Sequence, residues 1–140
     1  MLDLAEKISP APRANLEHQL DNGEARRKFG EIVEAHGGNA ADLSKLAEIH
    51  RAPLIREFPA PDTGTVVRVD AGMVGQAAVQ LGAGRARATD GVDHAVGFDR
   101  MVKIGEHIHQ GQPLCFIHAR TAVDFEIAEA MLEKAIRIEP

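Results

Sequence analysis

Tryptophan and tyrosine are absent from this chain, which leaves five phenylalanines to supply 4% of its residues as aromatics. A surface that stacks unpaired bases needs aromatic faces set in a basic groove. With a net charge of −5 and no Lys/Arg block the sequence offers neither, so nucleic acid is excluded as an expected partner. Cysteine occurs once, so no internal disulfide can form and a reducing compartment is expected. That residue, Cys115, stands inside an apolar run and reads as a small buried hydrophobe in a strand rather than as a reactive thiol. No apolar run approaches the ~18 residues of a membrane span. The start, Met1-Leu-Asp-Leu-Ala-Glu-Lys7, also lacks the basic flank and apolar centre of a signal peptide. A cytoplasmic protein with no membrane partner is therefore expected.

What is present suffices for one core. A chain of 140 residues, 44% hydrophobic and 26% charged, can bury about 68–70% of the surface its unfolded form exposes. Residues 1–50 read as helices. Asp21-Asn-Gly-Glu24 has the form of a capping box, opening a helix with Phe29, Ile32 and Val33 on one face. Gly37-Gly38 closes it. A third helical piece, residues 42–50, presents Leu43, Leu46, Ala47 and His50 to one side before Pro53 stops it.

From Pro53 the character changes. Pro53, Pro59 and Pro61 punctuate short apolar runs, and Asp62-Thr-Gly64 turns into the β-branched segment Thr65-Val-Val-Arg-Val69. This predicts two parts: a helical segment over 1–52 and an α+β domain over 53–140. Asp70 is placed to cap a helix whose Val74, Ala77, Ala78 and Leu81 fall at i, i+3, i+4 and i+7. Gly82 and Gly84 end it. Short strands are expected over 95–98 and 114–117, then a helix over 121–135 with Val123, Ile127 and Met131 in line, then a run at 136–138. That order is α+β.

Between Gly105 and Ala119 lies a Gly-x-x-Ile-x-x-Gly-x-x-Leu-x-x-Ile ladder that fits neither the strand nor the helix period. Tight bends at Gly105 and Gly111 that return Ile108, Leu114 and Ile117 to one core would produce it. The spacing resembles one half of a biotinyl or lipoyl domain, a barrel-sandwich hybrid. Lys103, however, lies between Val102 and Ile104 without the Met or Asp/Ala flanks of a modified carrier lysine.

No residue set specifies catalysis. His107 and His109 alternate as two metal ligands on a strand would, but neither a third ligand nor a partner for His118 is spaced with them, so no metal is expected. Gly82-Ala-Gly84-Arg85 follows a helix instead of leading into one, which turns the dipole away from a phosphate. Asp90 and Asp93 read as a polar turn, with Arg85 and Arg87 as nearby ion-pair partners.

Taken in order, Leu81-Gly-Ala-Gly-Arg85, Asp90-Gly-Val-Asp93, Val96-Gly-Phe98, Gly105 to Gly111, and Pro113 with Leu114 to Ala119 resemble the C-terminal part of the thymidine and pyrimidine-nucleoside phosphorylases. Upstream, Leu20-Asp-Asn-Gly23-Glu-Ala25 and the run from Phe29 to Gly38 are similar to a helix of that family that ends in Gly-Gly. His36, Asn39 and Thr65 depart from the family's usual Gln, Asp and aromatic residue. The resemblance implies N-terminal helices followed by an α/β-hammerhead or barrel-sandwich-hybrid-like domain. It also implies phosphorolysis of a pyrimidine nucleoside to free base and (deoxy)ribose 1-phosphate, with phosphate as co-substrate and no cofactor. The family's phosphate loop and base-binding residues lie upstream of the matching region. The expected catalytic, substrate-binding and metal residues within this chain are therefore none, and it is expected to be inactive alone. The expected partner is the remainder of a phosphorylase or a second copy of the chain. The alternative is a free-standing binding module of the same fold.

Overall fold

The computed structural model describes residues 2–140, except for the side chain of Ala47. The chain folds as two units, Met1–Ile49 and His50–Pro140.

The first unit is helical: α1 (Leu2–Ile8), α2 (Arg13–Asp21), α3 (Glu24–Ala35), a 3-10 turn (Ala40–Ser44) and α4 (Leu46–Ile49). The expected capping box is not formed, because Asp21 is the last residue of α2 and Gly23, at φ +83°, is the residue before α3. Asn22 takes over the role, its Oδ1 accepting from the Glu24 amide at 2.9 Å. Gly37 and Gly38 do close α3, donating to the carbonyls of Glu34 and Val33. The third helix is split: Asn39 caps the 3-10 turn, Lys45 interrupts it, and only four residues of α4 follow. The inward face expected for Ala47 lies outside the described residues. In α1 to α3 Gly30 alone is buried, whereas Leu4, Ile8, Leu20, Phe29 and Ile32 are exposed.

The second unit is α+β and holds the core. Its elements are β1 (Leu54–Pro59), β2 (Gly64–Val69), α5 (Ala71–Leu81), β3 (Gly97–Asp99), β4 (His107–Ile108), β5 (Pro113–Ala119), α6 (Ala122–Ala135) and β6 (Ile136–Glu139). They form two three-stranded antiparallel sheets, ordered β1-β5-β3 and β4-β2-β6. The glycine ladder is what joins them. Gly105 (φ +92°) donates to the Val66 carbonyl on β2, while Gly111 (φ +80°) donates to that of Ala60 just past β1. Each bend is thus clasped to a different sheet. Ile108, Leu114 and Ile117 return to a single buried cluster with at most 1% exposure. β2 and β6 approach closely enough that only hydrogen fits at Gly64, where an added Cβ would lie 2.2 Å from the Glu139 carbonyl oxygen.

Both helices of this unit are well capped. Asp70 Oδ1 accepts from the Met73 amide at 3.0 Å, and Gly82, at φ +98°, closes α5. Thr121 and Asp124 form a full capping box at the start of α6. The face of α6 differs from expectation. Phe125, Ala128, Leu132 and Ala135 are buried, whereas Val123 and Ile127 are exposed and Met131 is half-buried. The small alanines allow α6 to settle close to α5 and β5, the elements it packs on. β3 starts at Gly97 rather than at Ala95, because its pairing with β5 begins there, with Gly97 opposite His118.

Candidate functional site

The structure sorts the chemically suggestive residues by their surroundings. Cys115 is fully buried in β5, and burial, with a smaller contribution from Asp99, pushes its thiol up to about 12. A thiol so rarely ionised is not a nucleophile. Lys103 is exposed in the connection before β4. Gly82 to Gly84 form the helix stop: Gly82 and Ala83 donate to the Val79 and Ala78 carbonyls, and so are spent on the helix rather than on an anion.

Asp90 and Asp93 take separate roles, and neither forms an ion pair with Arg85 or Arg87. Asp90 Oδ2 accepts from the Arg87 backbone amide at 2.7 Å, folding the loop on itself. Asp93 is gripped bidentately by Arg120, 27 residues away, at 2.6 and 2.8 Å, and also accepts from the Ala95 amide at 3.0 Å. The Arg120 guanidinium first, then the Ala95 amide, lower the Asp93 carboxyl from 3.8 to about 2. A lowered folded-state value means that the stabilisation is complete above the unfolded value near 3.8 and is lost as the pH falls through about 2. The stability gap between the native chain and Arg120→Ala is accordingly expected to narrow on acidification from pH 6 to pH 2. A gap that stayed constant in urea titrations across that range would contradict this assignment.

His118 does have an acidic neighbour, contrary to expectation. Its Nε2 is buried without a hydrogen-bond partner and lies 3.6 Å from Asp99 Oδ2. The pairing β3 to β5, with Gly97 opposite His118, makes the meeting, which linear spacing does not reveal. His107 and His109 flank the fully buried Ile108, and both are exposed. Their rings meet edge to face with centroids 5.5 Å apart. Among the described residues no group of three or more His, Cys, Asp or Glu side chains is arranged to hold a metal ion.

Within the second unit a cleft of about 400 Å³ is lined by Phe58, Leu114, Ile136 and Ile138, with Glu133 and Arg137 also on its wall. It contains no nucleophile beside a base, so it offers a place to bury an apolar group rather than a reaction centre. No helix among the described residues is long and apolar enough to cross a membrane.

Comparison with known proteins finds similarity over most of the chain. The sequence pattern of the pyrimidine nucleoside phosphorylase C-terminal domain matches residues 65–139. Thymidine phosphorylase of Burkholderia orbicola (strain MC0-3) is 43% identical over 126 residues, covering 89% of this chain and 28% of that protein. The thymidine phosphorylase of Burkholderia cenocepacia (strain HI2424) matches to the same extent. That of Burkholderia lata is 41% identical over 121 residues, covering 85% of this chain and 27% of the relative. The chain thus spans little more than a quarter of the length of these relatives.

Proposed function

The chain belongs to the pyrimidine nucleoside phosphorylase family, through its C-terminal domain, and from this we propose that it is a scaffold part of an enzyme that cleaves pyrimidine nucleosides with phosphate. In that reaction, a pentosyl transfer, a phosphate oxygen bonds to C1 of the sugar as the bond from C1 to the base nitrogen breaks. The electron pair leaves with the base, which takes up a proton, and the other product is (deoxy)ribose 1-phosphate. Such chemistry needs donors around the phosphate and a polar grip on the departing base. In this reading the donors come from the rest of the enzyme, in keeping with Asp90, Asp93, Cys115 and the Gly82 end of α5 being spent on the fold. We assign it no catalytic or substrate-binding residue and no cofactor.

The observation that carries the reading is the match over residues 65–139 together with an alignment that accounts for most of this chain and only 28% of a thymidine phosphorylase. Residues 53–140 are the C-terminal domain in this reading, and residues 1–52 belong with the larger domain of the enzyme. The exposed Leu20, Phe29 and Ile32 of the first unit support a partner, which is the rest of the phosphorylase or a second copy of the chain. No nucleic acid or membrane takes part, and the setting is the cytoplasm.

The purified 140-residue chain is expected to release no thymine from thymidine in phosphate buffer. It is expected to restore release when added to a thymidine phosphorylase cut off before the matching region. Thymine release by the chain alone would overturn its proposed inactivity, and absence of any complex with the truncated enzyme would overturn the scaffold role.

A further inference from the structure

His107 and His109 are held far more firmly than two exposed side chains on a loop would be. Between them Ile108 is fixed in the core at 0% exposure, and His107 pairs with Thr65 across β2. The turn that follows is pinned on every side. The His109 amide donates to Gln112 Oε1 and its carbonyl accepts from the Gln112 amide. The Gln110 amide donates to Thr63 Oγ1, and Gly111 donates to Ala60. The backbone at both histidines is therefore set by the core and by the glycine bend, and only the short imidazole torsions remain to be ordered on binding.

Neither ring is engaged by another side chain in a hydrogen bond or ion pair among the described residues, unlike His118 beside Asp99. Both side chains are exposed, with ring centroids 5.5 Å apart and planes at 87°. A single ion held ~2.0–2.1 Å from one nitrogen of each of two rings, at a tetrahedral angle, places the centroids about 5 Å apart. The observed spacing of 5.5 Å is close to that separation.

We propose that His107 and His109 form a two-imidazole site for a divalent transition-metal ion of the zinc and nickel class, at the tip of the β4 bend. Imidazole suits these ions, whereas calcium and magnesium want oxygen. With two protein ligands, water completes the coordination sphere, so the site is exchangeable and open to a further ligand. A closed structural site would need four protein donors. The ion bridges a strand residue to a turn residue, and so fastens the bend that joins the two sheets.

Calorimetric titration of the full chain with nickel chloride and, separately, zinc chloride tests the site. One equivalent is expected to bind, with affinity falling at least about tenfold in either His107→Ala or His109→Ala, since each removes one of two ligands. Both residues are exposed, so the variants keep the fold, which their circular dichroism checks. The thermal midpoint of the native chain is expected to rise with nickel concentration, and that of the double variant is not. His50 and His94 form another edge-to-face pair, with centroids 5.7 Å apart. Their double alanine variant is expected to bind as the native chain does. The proposal is overturned if the ion binds His107→Ala and His109→Ala with native affinity, if the His50 and His94 variant is the one that loses it, or if no equivalent binds at all.

Discussion

Leu132→Ala is expected to lower the free energy of unfolding by about 3 kcal/mol, while Ile127→Ala on the same helix lowers it by no more than about 1 kcal/mol. The first removes three carbons from a fully buried position in the cluster shared by Phe125, Ala128 and Ile117. The neighbouring alanines have no atoms with which to close the gap, so a cavity cost adds to the lost burial. The second trims a side chain that is 46% exposed. Urea unfolding of both variants distinguishes the two possible faces of α6. Equal losses, or a larger one for Ile127→Ala, would mean that the helix is turned the other way.

Gly64→Ala is expected to be comparably damaging, about 3 kcal/mol, for the opposite reason of excess volume. The new methyl would meet the Glu139 carbonyl oxygen at 2.2 Å and the Ile138 Cγ2 at 2.9 Å. Backbone cannot rotate away as a side chain can, so β6 must move off β2 and give up the pairing of Thr65 with Glu139 and of Val66 with Ile138. Faster amide exchange at residues 136–139 should accompany the loss. Gly75→Ala serves as the contrast. It lies within α5 with nothing within 4 Å of an added Cβ, so the better helix former is expected to raise stability by about 0.5–1 kcal/mol. A neutral Gly64→Ala, or exchange unchanged in β6, would refute the close approach.

These cases show where the sequence was readable. The ladder was, because glycine at positive φ and apolar residues three apart leave few ways to bury Ile108, Leu114 and Ile117 together. Helix α5 was, because Asp70, the stripe from Val74 to Leu81 and Gly82 all specify the same helix. Helix α6 was not, since Val123, Ile127 and Met131 make a heavier stripe than the alanine-rich face that is buried, and only the close packing on α5 and β5 decides between them. The first unit misled through Asp21, whose spacing to Glu24 suits a cap although α2 has not yet ended. The partners of the candidate site were hidden for a different reason. Arg120 with Asp93, and His118 with Asp99, meet only through the antiparallel return of β5, which local spacing does not encode. The edge-to-face contact of His107 with His109 was half legible: alternation indicated a shared side, and only the structure shows the rings meeting.

The burial of Cys115 makes the chain report on its own breathing. Without tryptophan or tyrosine it is almost dark in near-ultraviolet absorption and fluorescence, yet it owns a single buried thiol in β5, the middle strand of the β1-β5-β3 sheet. Alkylation there requires the core around β5 to open, because the closed state offers neither access nor an appreciable thiolate. The rate at which a thiol reagent is consumed therefore counts the rare openings of that core, one event per molecule.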